Sequence, residues 1–252
     1  MNYNHPTKIN YKKATDDLIF TNLFEFMKYY FDFFGHYKHS NSWWLANSWS
    51  PFVGACFYIW GKEINCEVGM SYTFPNFPIF LESINYIDDA KKFQKPEDRG
   101  YDLSWKDENR NYILKLEHEE TGSTPDQQLK EIQDEIIKLN ASPGLFNILI
   151  SRPHLRKFKG FKDTYPNAIG YYKEKIEKMF KDLKIVNNNK NWIIILIGPN
   201  NIRLKSPGDK TEILFYHYTW DGNGLSGLNI KSFEVELDQN RNNVKISNSQ
   251  NN

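Results

Sequence analysis

RGYDLSWKDENRNYILKLEHEE, residues 99–120, decides how the rest of this chain is read. Tyr101, Leu103 and Trp105 alternate with Asp102 and Ser104, and Lys106 to Asn111 supply polar turn residues. Tyr112, Leu114, Leu116 and His118 then alternate with Ile113, Lys115, Glu117 and Glu119. A period of two over each run predicts two strands joined by a turn, because successive strand side chains point to opposite faces. Lys115, Glu117 and Glu119 therefore share one face. In a hairpin Asp102 falls opposite Lys115 or Glu117, depending on the turn, and either register puts it on the face of both glutamates. Directly opposed Cβ atoms lie about 4.5–5.5 Å apart and diagonal ones about 7–8 Å. Three carboxylates that close repel one another unless a cation or a shared proton intervenes. The pattern is that of a metal site.

The chain has 252 residues, 40% hydrophobic and 16% aromatic, enough to fill a sizeable core and to exclude a disordered protein. A formal net charge of +1 gives no global preference for anionic or cationic partners. Local charge is uneven: 12 Asp/Glu face 5 Lys/Arg between Glu97 and Glu135, and 10 Lys/Arg face 4 Asp/Glu between Arg152 and Lys184. Acidic and basic blocks in succession suit a metal centre beside a phosphate-binding surface, although two solvated helices of opposite charge would give the same counts. Cys56 and Cys66 are the only cysteines and form no CxxC pair, which excludes a cysteine-rich zinc site. MNYNHPTKINYKK lacks the apolar core of a signal peptide, and the apolar run Trp192 to Ile197 is too short to span a bilayer. A soluble, cytoplasmic protein with reduced thiols and no membrane partner is expected.

Residues 1–14 read as a loose arm, 15–238 as one α/β domain and 239–252 as a disordered Asn-rich tail. Thr15, Asp16 and Asp17 offer an N-cap and negative charge to a helix running to about Phe34. Residues 36–60 hold His36, His39, Trp43, Trp44, Trp49 and Trp60, for which packing is the expected use. Lys62 to Phe74 reads as a strand with Glu67 on its polar side, where it could join the carboxylates, and Phe80 to Phe93 as a short helix. Thr124 is the expected N-cap of a helix to about Leu139, with Pro125 in its first turn and Gln127 at capping-box spacing. Leu145 to Ser151 is a buried strand, and Asn167 to Lys184 a basic helix. Trp192–Gly198, Thr211–Trp220 and Ile230–Leu237 are further strands, with a turn at Asp221 to Gly227.

A helix, three strands, a helix and a strand, with Asp102 starting one strand and Glu117-His118-Glu119 ending the next, resembles the PD-(D/E)XK restriction-endonuclease-like superfamily over about residues 60–152 and the helix before them. The resemblance implies a mixed central sheet flanked by helices, and it makes Asp102 and Glu117 ligands of Mg²⁺ or Mn²⁺. Glu119 occupies the position where the family usually has the lysine that assists the attacking water. Glutamate cannot supply that positive charge, so Glu119 would ligate a second metal or accept a proton, or Lys115 would supply the charge from the same face. Tyr101 stands where the family has proline. The LEHEE stretch also resembles nuclease-like proteins with an E-H-E-N motif, Glu120 replacing the Asn.

Phosphodiester hydrolysis needs a water made nucleophilic at neutral pH and stabilisation of charge on the phosphate, both within reach of a hard divalent ion on oxygen ligands. His118 points to the opposite face and is expected to pack. Arg152, His154, Arg156 and Lys157 follow the strand after the capped helix and are the expected phosphate contacts. The expected function is a metal-dependent endonuclease acting on nucleic acid, DNA before RNA, as a homodimer if both strands are cut. A catalytically inactive binding or assembly module on the same scaffold is the alternative. A glycoside hydrolase ranks third, because Glu117 and Glu119 share one strand whereas that chemistry needs acids flanking the sugar.

Overall fold

The computed structural model describes residues 3–5, 15–34, 49–70, 77–93, 100–119, 124–141, 144–154, 157–158, 161–162, 164–185, 191–199, 204, 206–237 and 244–248. Arg156, Glu120, His36, His39, Trp43 and Trp44 lie outside them.

Two helices precede the sheet. In α1 (Asp16–Phe34) the Leu18 N–H donates to Thr15 Oγ1 at 3.3 Å, so Thr15 caps the helix as its sequence suggests. Phe20, Leu23, Phe26, Met27 and Tyr30 are all buried. The second helix, α2 (Trp49–Glu63), is buried without interruption from Phe52 to Gly61. A helix apolar all round must be covered on several sides, and α1, the sheet and the short helix α3 (Phe77–Ser83) cover it, with α4 (Ile87–Lys92) packed on α3.

These helices correct two expectations. Lys62 and Glu63 end α2, and among the described residues of that stretch only Glu67–Gly69 forms a strand, β1. The helix expected over Phe80–Phe93 is two, separated at Asn85, whose φ of 68° no helix accommodates. Glu67 also stays away from the acidic cluster. It pairs with Lys106, at the far end of the next strand from Asp102, and its carboxylate meets Arg110 at 3.8 Å on the surface.

The remaining elements are β2 (Leu103–Lys106), β3 (Tyr112–Glu119), α5 (Pro125–Asn140), β4 (Phe146–Ser151), β5 (Lys157–Phe158), β6 (Phe161–Lys162), α6 (Tyr165–Asp182), β7 (Asn191–Gly198), β8 (Lys210–Trp220), β9 (Leu225–Leu237) and β10 (Val244–Asn248). Eight strands form one mixed sheet in the order β1-β2-β3-β4-β7-β8-β9-β10, and β5 with β6 forms a separate ribbon. Strands β3, β4 and β7 are parallel, and the other neighbours antiparallel. Their connections through α5 and α6 are the helical crossovers that parallel strands require.

The sheet separates two apolar layers. Leu114, Leu116, Ile148, Ile150, Ile193, Ile195 and Phe215 pack with α1 and α2, whereas Leu149, Trp192, Ile194, Leu196 and Tyr218 pack with α5 and α6. Central parallel strands covered on both faces explain the unbroken apolar reading of FNILIS and WIIILIG.

The described residues near the two ends, 3–5 and 244–248, join the packed body of the fold. Tyr3 donates its backbone N–H to Tyr30 Oη at 2.7 Å, and its carbonyl accepts from the Tyr86 hydroxyl at 2.6 Å. His5 is buried, its Nδ1 3.1 Å from Asn22 Nδ2 and its ring stacked on Phe26. Burial drives the His5 pKa down to about 3, against the opposing hydrogen bond from Asn22. In the Asn-rich tail, β10 pairs with the second half of β9 from Phe233 to Leu237.

Candidate functional site

Leu103 pairs with Leu116 and Ser104 with Lys115, so continuing the β2–β3 register by one residue sets Asp102 opposite Glu117. Strand β2 itself begins at Leu103, so Asp102, expected to start that strand, lies in a bend just before it. Asp102 Oδ2 accepts the His118 backbone N–H at 2.9 Å, which pins the carboxylate to the strand carrying both glutamates. The parallel pairing of β3 with β4 then places Lys115 beside Asn147, Glu117 beside Leu149 and Glu119 beside Ser151. At this corner, the sheet face under α5 and α6 changes from apolar to polar.

Burial makes the corner electrostatically demanding. Glu117 is 0% exposed and Glu119 7% exposed. A buried carboxylate is costly unless paired, and α5 supplies the partner. Lys138 Nζ lies 2.9 Å from Glu117 Oε1 and 2.6 Å from Glu135 Oε2. Glu117 Oε2 accepts no hydrogen bond from the described residues. Burial first, then the neighbouring Asp102 and Glu135 carboxylates, push the Glu117 pKa up to about 10 against the opposing pull of Lys138. For Lys138, burial acts to lower the pKa, but its bonds to Glu135 and Glu117 outweigh this and hold the ammonium above the ordinary lysine range. The pair thus joins a lysine held in its charged form to a carboxyl group that burial and two neighbouring acids favour in its neutral form.

Lys115 is fully buried and donates to the carbonyl of Leu139, in the last turn of α5, with its ammonium 5.2 Å from the Tyr101 ring centroid. Helix C-termini leave carbonyls without intrahelical donors and carry partial negative charge, so Lys115 serves as a C-terminal cap for α5. A Cβ at Gly144 would come within 2.8 Å of Lys115 Cε, so glycine makes room for the lysine stem.

Gln128 joins the C-terminal ends of β3 and β4. Its Nε2 lies 3.3 Å from the Glu119 carbonyl, 3.3 Å from Ser151 Oγ and 3.2 Å from the Arg152 carbonyl. Its Oε1 accepts from the Tyr172 hydroxyl at 2.5 Å, and Tyr172 Oη accepts the His154 N–H at 3.3 Å. One buried amide therefore ties two strands, the loop after β4 and both covering helices together.

Of the expected phosphate contacts, Arg152 is 3% exposed within this network and His154 is half-buried. Lys157 lies in β5, its side chain undescribed, and Arg156 is outside the described residues. Several lysines of the basic block are neutralised within α6: Lys173 and Lys181 meet Glu177 at 3.6 and 2.6 Å, and Lys178 meets Asp182 at 4.0 Å.

Among the described residues, no three His, Cys, Asp or Glu side chains form a metal-binding group. Magnesium needs less, since one or two carboxylates together with water and substrate phosphate suffice. Asp102, Glu117 and the unpaired Glu117 Oε2 fit that smaller donor set. The third acid near Glu117 is Glu135 from α5, which the sequence reading did not single out, and the nearby cation is Lys138. Gln128 had a visible signal, a polar residue four positions before Ile132 on the buried stripe of α5. Lys138 and Glu135 had none, because their i,i+3 spacing is that of an ordinary surface pair.

Fold and site define an α/β protein with an eight-stranded mixed sheet between helical layers and a buried, carboxylate-rich corner at the end of its parallel strands. No protein-family model matches the chain, and neither curated proteins nor solved structures gave a match. No helix among the described residues is long and apolar enough to cross a membrane.

Proposed function

We propose that this chain is a divalent-metal-dependent phosphodiesterase of the restriction-endonuclease-like type acting on nucleic acid, DNA before RNA. The observation that carries the reading is the closeness of Asp102, just before β2, to Glu117 in β3, with Glu117 Oε2 buried and unpaired among the described residues. Strand order gives general support, because open α/β sheets bind ligands beyond the carboxyl ends of their parallel strands. Glu117, Glu119, Ser151 and Arg152 all belong to that edge.

Asp102 and Glu117 would hold Mg²⁺ or Mn²⁺, which when bound supplies an acidified water and stabilises charge on the phosphate. Asp102 is oriented for this by the His118 N–H. Lys138 stands where the assisting cation is needed, a role neither Glu119 nor the helix-capping Lys115 fills. Gln128 holds the loop bearing Arg152 and His154 against α6, and a phosphate would approach from that loop. In a homodimer, two such corners would serve two strands.

The test is incubation of the protein with plasmid, linear duplex, single-stranded DNA and RNA, with and without Mn²⁺. Mn²⁺-dependent cleavage that Asp102→Asn and Glu117→Gln abolish is expected. Equal outcomes for wild type and both variants on every substrate would reject catalysis. A second reading, a non-catalytic nucleic-acid-binding or assembly module, is favoured by one observation: Lys138 already occupies Glu117 Oε1. Retained duplex binding without cleavage would select it.

A further inference from the structure

Lys138 reaches Glu117 from α5 on a flexible stem, and its side chain is 38% exposed whereas that of Glu117 is 1% exposed. The same ammonium already touches Glu135, three residues earlier on the helix, at 2.6 Å. One cation thus bridges a deeply buried acid and a more exposed one. Asp102 and Glu135 both act electrostatically on Glu117, so this corner gathers three acids around one ammonium.

An ammonium is a compact, strongly hydrated point charge that hydrogen-bonds to a carboxylate without coordinating it. A divalent ion binds the oxygen directly, at about 2.0–2.1 Å for Mg²⁺. Glu117 Oε2 accepts no hydrogen bond from the described residues, and so presents a ligand atom next to the oxygen that Lys138 occupies.

We infer that Lys138 is a tethered counter-ion: it holds Glu117 when metal is absent and passes to Glu135 when a divalent ion binds between Asp102 and Glu117. The inference rests on the metal reading of this corner and adds regulation to it. Metal affinity is set by competition with a cation built into the chain. The displaced head stays on Glu135, within the reach of its own stem, so no part of the backbone has to move.

Calorimetric Mn²⁺ titration of the full chain tests this without any activity assay. Lys138→Met keeps the stem and removes the competitor, and should tighten Mn²⁺ binding by about tenfold, the scale of one partly buried ion pair. Glu135→Gln should weaken binding in the wild-type background, where the ammonium loses its second partner. It should have little effect in Lys138→Met, because Glu135 acts through the lysine; such coupling is what a double-mutant cycle isolates. If Lys138→Met does not fold, Lys138→Gln carries the same expectation. Equal or weaker Mn²⁺ binding in the lysine variants, with binding still abolished by Asp102→Asn, overturns the counter-ion role and leaves the metal site standing. An absence of Mn²⁺ binding in wild type and lysine variants alike overturns the metal site, and the counter-ion role with it.

Discussion

Glu117→Gln isolates the electrostatic cost of the buried corner. The side chain is fully buried, and its pKa rises from 4.5 to about 10 on folding. A carboxyl whose pKa is raised in the fold binds its proton more tightly there than in the unfolded chain. Its contribution is therefore fully present below about pH 4.5 and is lost progressively as pH rises towards 10. Within that window the slope is roughly 1.4 kcal/mol per pH unit. Between about pH 6 and pH 8, metal-free wild type should lose about 2–3 kcal/mol from this group alone. Glutamine preserves the shape and cannot ionise, so the variant should not share that loss. Urea unfolding in EDTA across this range gives the double difference, in which the other titrating groups largely cancel. Parallel stability curves for wild type and variant would refute the reasoning, showing that Lys138 compensates the buried charge in full.

Four further perturbations follow from named contacts. Thr124→Ala removes the Oγ1 that accepts the Gln127 N–H at 3.3 Å, and should cost about 1 kcal/mol in thermal or urea unfolding. Gly144→Ala drives a methyl against Lys115 Cε and should cost about 1–3 kcal/mol, partly recovered when Lys115→Met accompanies it, as read by the same unfolding curves. Gln128→Ala leaves the Tyr172 hydroxyl and two strand-end groups without their partner, so a loss of about 2–3 kcal/mol is expected, with faster amide exchange at residues 151–154. His5 is neutral in the fold, its pKa depressed from 6.5 to about 3, so its stabilisation is present above 6.5 and lost as pH falls. His5→Phe should accordingly flatten the acid limb of the stability curve, which chemical denaturation below about pH 6 measures.

The hairpin and the capped helix after it were legible because each depends on local rules: period-two alternation, turn residues and an N-cap Thr before Pro. The buried strands FNILIS and WIIILIG were legible from apolarity alone. Residues 62–66 were misread as strand because Ile64 and Cys66 alternate with polar neighbours while the all-apolar α2, lacking a polar face, gives no helical period. At the site, sequence placed Asp102 and Glu117 on one face but not in one register, since turn geometry decides between Lys115 and Glu117 as the opposite residue. The roles of Lys115 and Lys138 could not be read at all. A lysine on the acidic face looks like a local counter-charge. Only the packing of α5 shows Lys115 spent on the Leu139 carbonyl and Lys138 brought in from above.

The docking of Tyr3 bears on how this chain is made. Its two peptide groups are closed by phenols 27 and 83 residues downstream. The segment holding Tyr3 thus waits for Tyr86 before both its hydrogen bonds exist. Such long sequence separations slow the final ordering step.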